Sequence, residues 1–159
     1  MPNNTFPDIP LLLETLKADF PAFDFVEASR FSWHAGRKNI SYKALKKDDV
    51  HGAWALLHEV GHAQLTHEDF STDIELLKME VAAWEEAKEL AQKYSLDIDE
   101  DYVQSCIDSY RDWLHLRSTC PSCYNRSLQS SRTTYHCLNC GTDWSVTRNR
   151  LCRPYRRRD

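Results

Sequence analysis

The apolar positions of this chain fall into helical spacing almost everywhere, with one stretch of strand spacing near the N-terminus and another near the C-terminus. Pro10 to Phe20 puts Leu12, Leu13, Leu16 and Phe20 on one side of a helix, with proline in the first turn and Pro21 ending it. Phe23-Asp24-Phe25-Val26, Arg30 to His34 and Ile40-Ser41-Tyr42 are short β-forming runs. The turn-forming Ala35 to Asn39 between the last two predicts a small antiparallel sheet or hairpin. Helical spacing returns over Ala53 to His67, behind the N-cap pair Asp48-Asp49, and over Ile74 to Tyr94, behind the polar break Glu68 to Asp73. Asp99 to Leu116 is a further amphipathic helix, with Tyr102, Cys106, Tyr110 and Trp113-Leu114 on its apolar side. Thr133 to His136 and Asp143 to Val146 read as partner strands. The fold class expected is α+β.

The Ala53 to His67 helix contains His58-Glu59-Val60-Gly61-His62, an H-E-x-x-H pattern. Residues four apart lie one turn apart on one helix face, so His58 and His62 can offer two imidazole nitrogens to one metal ion. Glu59 sits beside the first of them without being a ligand. Zn²⁺ lowers the pKa of a bound water, and a carboxylate so placed takes its proton as the water attacks a carbonyl. Gly61 is the odd residue, costing about 1 kcal/mol relative to alanine in a helix interior. A glycine there lets another backbone pass close to the metal.

A zinc hydrolase wants a third protein ligand, and the Ile74 to Tyr94 helix offers one. Leu76, Glu80, Ala83, Ala87 and Leu90 step by three and four, setting Glu80 in an apolar stripe, whereas Glu75, Glu85, Glu86 and Glu89 lie off it. A carboxylate on a buried stripe is costly unless it is paired or metal-bound. The alternative for Glu80 is a border residue bonded to a lysine. His67 is the rival ligand. It follows His62 by five residues where the histidine-rich extended motif has six, and Leu65 stands in place of that motif's glycine. It reads as a surface residue near the helix end. His34 and Tyr42 are candidates for polarising a substrate carbonyl, and an edge strand beside the metal helix would pair with an extended substrate.

HEVGH followed by Glu80-Val81-Ala82-Ala83-Trp84 resembles the ImmA/IrrE-type metallopeptidases and the wider gluzincin group, over about Phe23 to Leu90. The resemblance implies a minimal zincin-like fold, His58, His62 and Glu80 as metal ligands, Glu59 as general base, and cleavage of a regulator protein. Trp84 departs from the pattern, which usually has Asp or Asn there, and the interval from His62 to Glu80 is short.

The cysteines add a second centre. Cys120-Pro121-Ser122-Cys123 and Cys137-Leu138-Asn139-Cys140 are two C-x-x-C pairs with 13 residues between them, the spacing of a tetrahedral zinc ribbon. Gly141 suits the tight turn after the second pair. A segment this short builds little core, so zinc would supply its folding energy. Cys106 reads as a core residue, and Cys152 has no assigned role. Two zinc ions are expected, one catalytic and one structural.

A chain of 159 residues bounds this to one core-forming domain with an appendage, expected as 1–117 and 118–159. The hydrophobic fraction of 42% and charged fraction of 28% are those of a globular protein. No apolar run approaches the roughly 20 residues of a membrane span, and MPNNTFPDIP lacks the features of a signal peptide, so a cytoplasmic protein without a membrane partner is expected. The net charge of −4 divides into −11 before Arg117 and +7 from Arg117 onward. Arg148 to Arg158 is intensely basic, which suits nucleic-acid phosphates or an acidic protein face. A zinc hydrolase followed by a ribbon is similar in architecture to the SprT-like proteases, which act on DNA-bound proteins but use a third histidine. The expected function is a zinc metallopeptidase acting on a protein or peptide substrate, with the ribbon for targeting. Its rival is a non-catalytic or DNA-associated regulatory module with a vestigial zincin site.

Overall fold

Helix α1 (Ile9–Asp19) starts where the Asp8 carboxylate accepts the Leu11 backbone N–H, and buries Ile9, Leu12, Leu13 and Leu16, whereas Phe20, also expected in that stripe, is the C-cap and only half-buried. The chain then forms β1 (Asp24–Glu27), β2 (Ser32–His34) and β3 (Asn39–Tyr42) in the spatial order β1-β3-β2. The computed structural model describes residues 8–147 and 156–158, and over these the protein is α+β, with four α-helices and two small sheets. Strands β2 and β3 form the expected antiparallel hairpin, with Trp33 opposite Ile40. Strand β1 is different: it pairs with β3 in parallel, Phe25 beside Ile40, so the first sheet is mixed rather than purely antiparallel. The link from β1 to β2 reverses the chain, and β3 then enters between them running in the direction of β1. Strand β2 is left at the sheet edge.

Helix α2 (Val50–Gln64) packs on β2 and β3. Asp49 caps it, accepting the Gly52 N–H at 2.9 Å. Helix α3 (Asp73–Lys93) begins with a reciprocal capping box: the Glu75 N–H donates to the Thr72 hydroxyl, and the Glu75 carboxylate accepts the Thr72 N–H. All five residues of its predicted stripe, Leu76, Glu80, Ala83, Ala87 and Leu90, are buried. Both helices stop in the same way. The residue after the cap (Thr66, Ser95) takes a left-handed φ of 52° or 57°. The next amide (His67, Leu96) then bonds back to the carbonyl of His62 or Ala91. Among the described residues no helix is long and apolar enough to cross a membrane.

The chain groups into two compact units, and the division differs from the expected cut at 117/118. One unit holds the residues up to Glu68 with Met79–Glu100; the other holds Asp69–Lys78 and everything from Asp101 onward. Helix α4 (Glu100–Ser118) therefore goes with the cysteine-rich end. The physical reason is Arg117, whose side chain is 1% exposed. Its guanidinium faces the Asp73 carboxylate at 3.3 Å, lies over the Trp113 ring, and donates to the Thr147 and Arg132 carbonyls. The Tyr135 hydroxyl donates to the same Asp73, and the Trp144 indole N–H donates to the Arg117 carbonyl at 2.9 Å. This unit carries a four-stranded antiparallel sheet in the order β4 (Leu128–Gln129), β5 (Thr134–His136), β6 (Asp143–Val146), β7 (Arg156–Arg158). The β5–β6 pair is the one the sequence predicts, whereas β7 arises inside the basic tail. The rest of that tail, Arg148 to Tyr155 with Cys152, lies outside the described residues.

Removing one partner of a buried ion pair leaves the other charge unsatisfied, at a cost of about 3–5 kcal/mol. Arg117→Met should therefore destabilise the C-terminal unit by that order, read as a lower urea midpoint with the slope unchanged. A variant that unfolds at the wild-type midpoint would show that the network holds nothing together.

Candidate metal centres

The first centre is built by two helices that touch. A β-carbon placed on Gly61 of α2 would stand 2.6 Å from the Ala83 carbonyl oxygen of α3, so only glycine permits this approach. The contact sets Glu80, one turn before Ala83, against the histidine face of α2. His58 Nε2 lies 3.0 Å from one Glu80 oxygen and 3.1 Å from His62 Nε2, which in turn lies 3.4 Å from the other Glu80 oxygen. All three side chains are buried. Tetrahedral zinc with N and O ligands at 2.0–2.2 Å has ligand-to-ligand edges of roughly 3.3 Å, and each of these separations, taken to the two oxygens of Glu80, is about that long. Among the described residues, His58, His62 and Glu80 thus form one of two groups able to hold a metal ion, and their donors suit zinc.

Burial alone would raise the Glu80 pKa, but its bonds to His58 and His62 outweigh it and hold the carboxyl well below its usual range. The His62 pKa is raised: burial lowers it, and the charges of Glu80 and Glu59 more than compensate. Glu59 stands outside the group of three. Burial pushes its pKa up, opposed by His58 and His62 and by the Trp33 backbone N–H, which donates to the carboxylate.

The two histidines are supported differently. His58 stacks on Trp84, with ring centroids 4.2 Å apart and planes 28° from parallel, and its buried Nδ1 has no hydrogen-bond partner. Trp84 thus gives His58 a ring face. His62 Nδ1 lies 2.8 Å from His67 Nδ1. His67 is therefore no surface residue, as its position past the helix end suggests, but half-buried against His62. Its pKa is lowered by burial and by His62. Trp33 was also missed: its indole N–H donates to the His67 carbonyl at 2.8 Å, and no strand pattern distinguishes it from Phe31. His34 is exposed, and strand alternation turns it to the face opposite Trp33. Tyr42 is a buried core residue with the Lys17 ammonium over its ring.

The second centre gathers Cys120, Cys123, Cys137 and Cys140. The Cys120–Cys140 and Cys123–Cys137 sulfur pairs are 3.6 and 3.5 Å apart, far beyond a disulfide and close to the roughly 3.8 Å edge of a zinc tetrathiolate. The residue after each C-x-x-C pair has a left-handed φ (Tyr124 63°, Gly141 74°), and its N–H donates to the carbonyl of the first cysteine. Hydrogen bonds from the Ser127 hydroxyl and from backbone amides lower the Cys137 pKa to about 6, favouring the thiolate a metal needs. Beneath the cysteines, Tyr135 stacks on fully buried Trp144. Cys106 is half-buried in α4, and His115 is exposed.

No protein-family model, curated protein or solved structure matches the chain.

Two outcomes follow from the first centre. Glu80→Ala should weaken metal binding there by a factor of 10 or more, whereas Glu85→Ala, on the exposed side of α3, should not; chelator competition on the full chain reads both. Equal loss in the two variants would exclude Glu80 as a ligand. Gly61→Ala must force the helices apart and should cost about 1–3 kcal/mol by thermal unfolding despite alanine's better helix propensity. A gain in stability would contradict the close approach.

Proposed function

We propose that the N-terminal unit is a zinc metallopeptidase of minimal, zincin-like form, akin to the ImmA/IrrE-type gluzincins, and that it hydrolyses peptide bonds of a protein substrate. The observation that carries this reading is the contrast between the two centres. One offers four thiolates, a complete structural set. The other offers two imidazoles and a carboxylate, with a second carboxylate, Glu59, held beside them but outside the group.

His58, His62 and Glu80 would hold a catalytic zinc, and the four cysteines a structural one. Bound zinc supplies Lewis acidity, polarising the scissile carbonyl and making water acidic enough to attack near neutral pH. Glu59 accepts the proton of the attacking water and returns it to the leaving amine. Burial raises its pKa, the direction that favours taking up the proton before returning it. Trp33's backbone N–H orients that carboxylate from the edge strand, where an extended peptide would lie alongside β2. The ribbon and its arginines serve targeting, on the strength of the +7 charge from Arg117 onward, toward an acidic protein partner or nucleic acid. Two C-x-x-C pairs spaced for a metal rather than for disulfides support a cytoplasmic protein.

Glu59→Gln keeps the shape of the side chain and its capacity to accept a hydrogen bond, but removes its capacity to take a proton. The variant should retain both metals and the fold and lose roughly 10²–10⁴-fold in turnover of its protein substrate. Cleavage at the wild-type rate would remove the hydrolase mechanism and leave the centre a binding or structural role.

A further inference from the structure

The end of helix α2 departs from the usual pattern. In the terminus that both α2 and α3 adopt, the residue two past the cap folds back over the residue three before it, and that contact is normally apolar. Helix α3 obeys: Leu96 and Ala91, the two positions concerned, are both buried. In helix α2 the same two positions are His67 and His62, and their Nδ1 atoms meet at 2.8 Å. The turn that brings them together places Thr66, a β-branched residue, at φ 52°. That region disfavours branched side chains, so the chain accepts local strain to fold His67 back. The His67 backbone is held as well, its carbonyl accepting the Trp33 indole N–H at 2.8 Å.

Two Nδ1 atoms at that distance share one proton. His62 directs Nε2 at His58 and Glu80, so when Nε2 lends its lone pair to a metal, the proton of the neutral ring must reside on Nδ1. It then donates to His67, whose Nδ1 is the acceptor and whose own proton resides on Nε2. We propose that His67 is a positioning residue for the first centre: it fixes the tautomer and ring orientation of His62 through an imidazole–imidazole hydrogen bond, and Trp33 anchors it from the edge strand. The inference rests on His62 being a metal ligand. His58 has no such partner and relies on the Trp84 ring, so the two ligands are oriented by different means.

The test compares His67→Asn with His67→Leu in the full chain. Asparagine can place an amide oxygen near the position of Nδ1 and still accept the bond; leucine fills similar space and cannot. Zinc affinity is read by chelator competition, with the four-cysteine site as an internal reference. The His62 tautomer of the zinc-loaded protein is read from its imidazole ¹⁵N resonances. His67→Leu should weaken zinc at the first centre by about 10–100-fold, leave the cysteine site unchanged, and shift the His62 ¹⁵N signals. His67→Asn should recover most of the affinity. Wild-type affinity in His67→Leu, or equal losses in both variants, would overturn the proposal and leave the ligand assignment standing. A wild-type chain that binds zinc only through its cysteines would overturn both.

Discussion

The first centre depends on how closely two helix backbones approach at Gly61. Side-chain hydrogen on that residue lets α2 rest on the Ala83 carbonyl of α3, and any larger residue would lift the helices apart. The distance matters because donor atoms that must share an ion tolerate errors of only a few tenths of an ångström. His58 and His62 are fixed relative to one another by one helical turn, but Glu80 comes from a different helix and has no such guarantee. Ala83 and Ala87, both fully buried, keep the facing surface of α3 narrow, so Glu80 is the long side chain that reaches across. The helix-propensity cost of about 1 kcal/mol at Gly61 is small beside what a misplaced third ligand would cost.

The C-terminal unit solves a different problem. Its buried apolar residues are few, and much of its interior is polar or sulfur: the cysteines, the Asp73–Arg117 pair and the Tyr135 hydroxyl. Burial pushes the Asp73 pKa up, and Arg117 pulls the other way, so the pair is neither wholly solvated nor left uncompensated. Arginine suits this node because its planar fork bonds several acceptors at once while its face lies on Trp113. Directional bonds of this kind hold a small unit in one geometry where apolar packing alone would leave several.

Most of the helical architecture and both groups of metal-capable residues were legible because they obey a period. The stripe from Leu76 to Leu90 lies buried as written, and a carboxylate inside it had few reasons to be there except the one found. The C-x-x-C spacing likewise announced its knuckles. What escaped was set by chain direction and by turns. Parallel pairing of β1 with β3 preserves the same inside–outside alternation as antiparallel pairing, so the residues of Asp24–Glu27 do not distinguish them. His67 lies beyond the last helical turn, where helical spacing no longer applies, and only the left-handed step at Thr66 returns it to His62. In the sequence Arg117 marks only where the charge balance turns positive; its burial depends on Asp73, distant in sequence.

Strand β2 lies at the edge of its sheet, where unpaired backbone groups can template another chain, and its length of three residues already limits that. Here the Trp33 amide is already occupied by the Glu59 carboxylate. An incoming strand would have to compete with that carboxyl group for the amide to extend the sheet. A short edge and a neighbouring carboxylate thus both act against extension of this sheet.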